Sequence, residues 1–87
     1  MKMLVVDDSP TMRRIVVQML KRIGYSHILE ANDGREALEL LKAEGDFDML
    51  LTDWNMPIMS GLELTQAVRS DETLSKLPIL MVTTRNM

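Results

Sequence analysis

The sequence has no cysteine, which excludes a disulfide framework and a thiolate zinc site and suits a reducing compartment. No apolar run approaches the ~20 residues of a membrane span. The opening Met1-Lys2-Met3-Leu4-Val5-Val6 meets Asp7-Asp8 too early to be the apolar region of a signal peptide. The expectation is a soluble, cytoplasmic chain with no membrane partner. Ten Lys and Arg against 13 Asp and Glu give a net charge of −3. The basic residues are scattered over the chain, so no nucleic-acid-binding stripe forms. No repeat, linker or low-complexity segment divides the 87 residues, of which 46% are hydrophobic. One small globular domain is the ceiling.

What is present is a βα rhythm, in which short apolar runs alternate with segments of helical period. Met3-Leu4-Val5-Val6 reads as a strand covered on both faces. Ser9 then caps a helix with Pro10 at its first position, where a missing N–H costs nothing. Met12, Ile15, Val16, Met19, Leu20 and Ile23 form the apolar stripe of that helix, and Gly24 ends it. Arg13, Arg14, Gln18, Lys21 and Arg22 fall on the other side, as a solvated face. His27 to Ala31 is shorter and more polar, as suits a strand near an edge. Asp33 with Glu36 resembles a capping box opening a second helix, which Gly45 closes. Phe47 to Thr52 is a third strand leading to Asp53. Ser60-Gly61-Leu62-Glu63 is a capping box, with Met59 and Leu64 as its hydrophobic staple. Pro78 to Thr83 reads as a fourth, buried strand. Met12, Met19, Met49 and Met81 fall on core positions, as gap fillers.

The order β-α-β-α-β-α-β predicts a doubly wound parallel α/β fold with right-handed crossovers. In such sheets chemistry sits outside the carboxyl ends of the strands. Asp7 and Asp8 close the first strand, Asp53 the third and Thr83 the fourth. If the first and third strands are neighbours, three like charges crowd together, at a cost that protons or a cation must offset. Oxygen donors with no His or Cys among them suit magnesium. Taken alone, Asp-Asp after a strand also makes a good turn or helix N-terminus.

The joint pattern resembles the receiver domain of two-component response regulators, and most of all its single-domain chemotaxis members. Leu4-Val5-Val6-Asp7-Asp8, Thr11-Met12-Arg13-Arg14-Ile15-Val16, Asp53-Trp54-Asn55-Met56-Pro57 with Met59-Ser60-Gly61, and Leu80-Met81-Val82-Thr83 carry the resemblance, which extends over 1–87. It implies a flavodoxin-like sheet, and with it the order in which the strands lie. It implies that Asp53 is the phosphoacceptor. Asp7 and Asp8, with Asp53 and the backbone carbonyl of Asn55, would hold Mg2+, and Thr83 would be the switch hydroxyl. It also implies a sensor histidine kinase as phosphodonor and a flagellar motor switch protein as target, the domain being a switch rather than an enzyme.

The family pattern continues past the fourth strand through a helix, a fifth strand with a Lys-Pro pair and a last helix, none of which stands in these 87 residues. The expectation is therefore a truncated, partial receiver domain whose transfer chemistry is impaired by the missing Lys. Its fourth strand would be an exposed edge through which the chain forms a homo-oligomer. Two other readings stand beside it. One is a non-catalytic assembly fragment that dimerises or is completed by another chain. The other is a haloacid-dehalogenase-like phosphatase, which would need a second Asp where this sequence has Asn55. His27, with no ligand-type neighbour at metal spacing, is given no role.

Overall fold

The computed structural model describes residues 1–82, and Thr83 lies outside them. β1 (Lys2–Val6) leads into α1 (Pro10–Arg22), followed by β2 (His27–Ala31), α2 (Gly34–Glu44), β3 (Met49–Asp53), α3 (Gly61–Ser70) and β4 (Ile79–Val82). The four strands are parallel in the order β2-β1-β3-β4. The doubly wound expectation holds, and β2 is the edge strand its polarity predicted.

The caps explain where the helices start. The Ser9 side chain accepts from the Met12 amide, with Pro10 at the first position of α1. Asp33 accepts from the Glu36 amide at 2.8 Å. That box is only half formed, because the Glu36 carboxylate takes a hydrogen bond from the Asn32 amide group instead. At Ser60 the box is complete, with Glu63 returning a bond to the Ser60 amide at 3.0 Å.

The two sheet faces are filled unequally. Leu4, Val6 and Leu50 point to one side, where Ala37 and Leu41 of α2 and Leu64 and Val68 of α3 meet them. Met3, Val5 and Leu51 point to the other side, where Val17 is the only fully buried residue of α1. The predicted apolar stripe of α1 is thus only partly used. Val16 and Leu20 pack against the sheet, whereas Met19 is 54% and Ile23 72% exposed. A single helix covers this face among the described residues, so the outer half of its stripe faces an open groove with Leu51 and Val82. The assignment of Met19 to the core fails for that reason, and the fully buried methionines are Met3 and Met56.

β4 is the exposed edge that was expected of it, not the buried strand that its apolar run alone suggests. It pairs only with β3 among the described residues. None of its residues is fully buried, and Leu80 is 51% exposed. An edge strand lacks the neighbour that would cover its outer side.

Candidate functional site

The register builds the site. Val6 lies opposite Thr52, so Asp7 and Asp53, each one residue further on, leave adjacent parallel strands at the same level. Asp8 follows Asp7 directly. One carboxylate oxygen from each of Asp7, Asp8 and Asp53 lies within 4.8 Å of the other two. The three candidate residues that could be compared are therefore brought together.

Each carboxylate is held differently. Asp7 is 3% exposed, and its Oδ1 accepts from the Ser9 amide at 2.9 Å. The Asp7 amide donates to the Ala31 carbonyl at 3.3 Å, extending the β1–β2 ladder past Val6. Asp8 is exposed and Asp53 half-buried. The Oδ1 of Asp53 accepts from the Trp54 amide at 2.9 Å. Among the described residues neither Asp8 nor Asp53 has a Lys or Arg ion pair. Asn55 is exposed, two residues past Asp53, and its carbonyl accepts no hydrogen bond among the described residues.

These features test whether a divalent cation fits. The donor set is oxygen only, one carboxylate is buried, one is open to solvent, and a spare carbonyl follows the third. That is the chemistry of a magnesium site that keeps several waters, and no softer ligand competes.

Three supports of this site escaped the sequence reading. Arg13 is not on a solvated face, since its Nη1 donates to the Asp7 carbonyl at 2.6 Å and its Nε to Glu30 at 3.0 Å. It ties α1 and β2 to the backbone of the acid pair. A Cβ at Gly61 would come within 2.3 Å of the Asp53 carbonyl oxygen, so only glycine lets α3 start against that strand end. A Cβ at Gly34 would lie 2.9 Å from the Met59 side chain, which places the loop after β3 against α2. In the sequence Gly61 reads only as part of a cap, and Gly34 follows a cap residue with nothing to mark it out. Close approach across the fold leaves no local signal that separates such glycines from ordinary ones.

Comparison with known proteins identifies the family and bears out the fold. A family model described as the response regulator receiver domain matches residues 3–87. The chain is 56% identical over 84 residues to the chemotaxis protein CheY1 of Helicobacter pylori, a match that covers 97% of this chain and 68% of that protein. It is 54% identical to the chemotaxis protein CheY of Pseudomonas aeruginosa, over 95% of this chain and 66% of that one. The chemotaxis response regulator CheY4 of Vibrio cholerae superposes with a TM-score of 0.86 at 42% identity, covering 99% of this chain and 70% of that one. Matched along nearly its whole length, the chain belongs to the receiver domains of response regulators, the phosphoacceptor modules of two-component signalling.

Proposed function

We propose that Asp53 is the residue that accepts the phosphoryl group, from a phosphohistidine on a sensor histidine kinase. The observation that carries this reading is the meeting of three carboxylates at the ends of β1 and β3. The Trp54 amide holds Oδ1 of Asp53, which leaves Oδ2 to attack phosphorus. The new O–P bond forms as the N–P bond breaks, and the electron pair goes to the departing imidazole nitrogen. Asp7, Asp8, Asp53 and the Asn55 carbonyl would hold Mg2+. Bound there, it would offset charge on the phosphoryl oxygens. The Ser9 amide and the Arg13 bond to the Asp7 carbonyl keep the acid pair in place. Thr83 would then read the aspartyl phosphate through its hydroxyl.

The chain would act in the cytoplasm, with a flagellar motor switch protein as target, in keeping with the chemotaxis proteins among its relatives. The side of β4 left unpaired among the described residues, with Leu80 exposed, supports self-association through that edge. A single compact monomer by sedimentation at micromolar concentration would remove that last proposal. Assembly alone, without phosphoryl chemistry, is the less favoured reading, because the carboxylate cluster then has no use.

Native mass spectrometry of the chain and of Asp53→Asn, each with magnesium and a small-molecule phosphodonor, tests the central proposal. One phosphoryl adduct on the parent and none on the variant is the expected result. An adduct on both would move the acceptor elsewhere.

A further inference from the structure

Asp8 is the least supported of the three clustered carboxylates. The Oδ1 of Asp7 accepts from the Ser9 amide, and that of Asp53 from the Trp54 amide. Asp8 is exposed, and its carboxylate has no hydrogen bond or ion pair among the described residues. One of its oxygens nevertheless lies within 4.8 Å of the other two groups. Its place is therefore set by its backbone.

That backbone begins with the peptide unit between Asp7 and Asp8. The unit is planar, so the direction of the Asp7 carbonyl fixes the Asp8 amide and Cα. Arg13 controls this direction. Its Nη1 donates to the Asp7 carbonyl oxygen at 2.6 Å, a short bond from a charged donor. Its Nε donates to Oε1 of Glu30 at 3.0 Å. The guanidinium is a rigid plane, so the second bond aims the first. The Arg13 side chain is 14% exposed, and its own amide opens the helix by donating to the Ser9 carbonyl at 2.9 Å. Helix α1, strand β2 and the peptide unit of the acid pair thus meet at one side chain. Arg14, next in the chain, is exposed and makes no such bond among the described residues.

We infer that Arg13 is the positioning residue of Asp8. It holds the 7–8 peptide unit in the plane that turns the Asp8 carboxylate toward Asp7 and Asp53, and so sets how tightly the site takes Mg2+. This rests on the reading of the three carboxylates as the magnesium site of a phosphoacceptor. Charge and orientation predict opposite signs. By charge alone, removing a cation beside three carboxylates tightens their hold on magnesium. By orientation, removing Arg13 frees the peptide unit and weakens it.

Calorimetric titration of the folded chain with magnesium decides between them, alongside labelling by acetyl phosphate at saturating magnesium. For Arg13→Met, which keeps an apolar stem, we expect magnesium affinity to fall about tenfold, as for other groups that orient metal ligands. Labelling at saturating magnesium should stay within about twofold of the parent. Arg13→Lys keeps the charge but cannot make both bonds, and should lose affinity equally. Arg14→Met removes the same charge one residue away and should bind magnesium within about twofold of the parent. Affinity that is unchanged or tighter in Arg13→Met overturns the inference, as does full affinity in Arg13→Lys or an equal loss in Arg14→Met. Labelling lost at saturating magnesium with affinity intact overturns it too. Should Arg13→Met not fold, Glu30→Ala carries the test. It removes only the brace on Nε and should weaken magnesium binding about threefold, and binding equal to that of the parent overturns the inference. A parent that binds no magnesium overturns the metal site itself, before any variant is compared.

Discussion

The two ends of the sheet treat charge in opposite ways. At the amino end, Lys2 gathers its surroundings. Its Nζ donates to the Gly45 carbonyl at 2.8 Å, lies 3.6 Å from Glu44 and sits 4.4 Å above the Phe47 ring. Its amide donates to Asp48 at 2.7 Å, and the Asp48 amide returns a bond to its carbonyl. At the carboxyl end, three carboxylates converge, and no described Lys or Arg forms an ion pair with Asp8 or Asp53. Two such charges at this separation repel by about 3 kcal/mol at an effective dielectric of ~20, and by nearer ~1 kcal/mol where water screens them. One end neutralises charge and holds the chain together. The other gathers like charges, which a ligand of opposite charge would relieve.

The contrast can be broken most severely at Gly61. Gly61→Ala puts a methyl group against the Asp53 carbonyl, and we expect urea unfolding to show a loss of about 3 kcal/mol from overpacking against backbone. Phosphoryl labelling should slow in parallel. Asp8→Asn acts in the opposite direction. Without added cation it should gain about 1 kcal/mol by removing one of the like charges. It should also lose most of the rise in melting temperature that magnesium gives the parent. A gain from magnesium that survives in Asp8→Asn would place the cation elsewhere. Lys2→Met sharpens the comparison from the amino end. It should cost about 1 kcal/mol, because an ion pair and a cation–π contact go while the apolar stem remains. That loss should be the same with and without magnesium.

The smallest effect lies beyond both ends, in the turn after α3. The Thr73 hydroxyl, donating to Asp71 at 2.7 Å, holds that carboxyl below the ordinary value of 3.8, assisted by the Thr73 and Leu74 amides and by Lys42. A depressed folded value stabilises the turn above pH 3.8, and the stabilisation disappears as pH falls through the lower, folded value. In an NMR titration the Thr73 amide should shift at lower pH in the parent than the corresponding amide does in Thr73→Val.

Elements whose cause is local were legible in the sequence. Ser9-Pro10, Asp33 and the Ser60 to Glu63 box mark the helix starts because a cap is satisfied within one turn. That Asp7, Asp8 and Asp53 share one edge of the sheet was legible from strand ends in a βα rhythm, whereas the adjacency of β1 and β3 that makes them converge came from the family resemblance. What the sequence hides is contact between distant segments. The Arg13 bond to the Asp7 carbonyl depends on how α1 lies across the sheet, and the closeness of Gly61 to Asp53 on how α3 enters. The helix periodicity of α1 was correct, yet Ile23 and Met19 are exposed because period alone does not say how many helices share a face.

β1 is one of the two inner strands, hydrogen-bonded to β2 on one side and β3 on the other, and it is the more deeply covered of the pair, with Met3 to Val6 buried throughout. Its backbone amides should therefore exchange with solvent deuterium only through opening of the whole domain, while those of β4 and of the 54–60 loop exchange through local openings. Asp7 and Asp8 follow directly on this doubly paired, buried backbone, and Asp53 ends the strand beside it. Anything bound at these carboxylates is tied to that protected centre, so its arrival should register as slowed exchange along β1, far from the loop through which it entered.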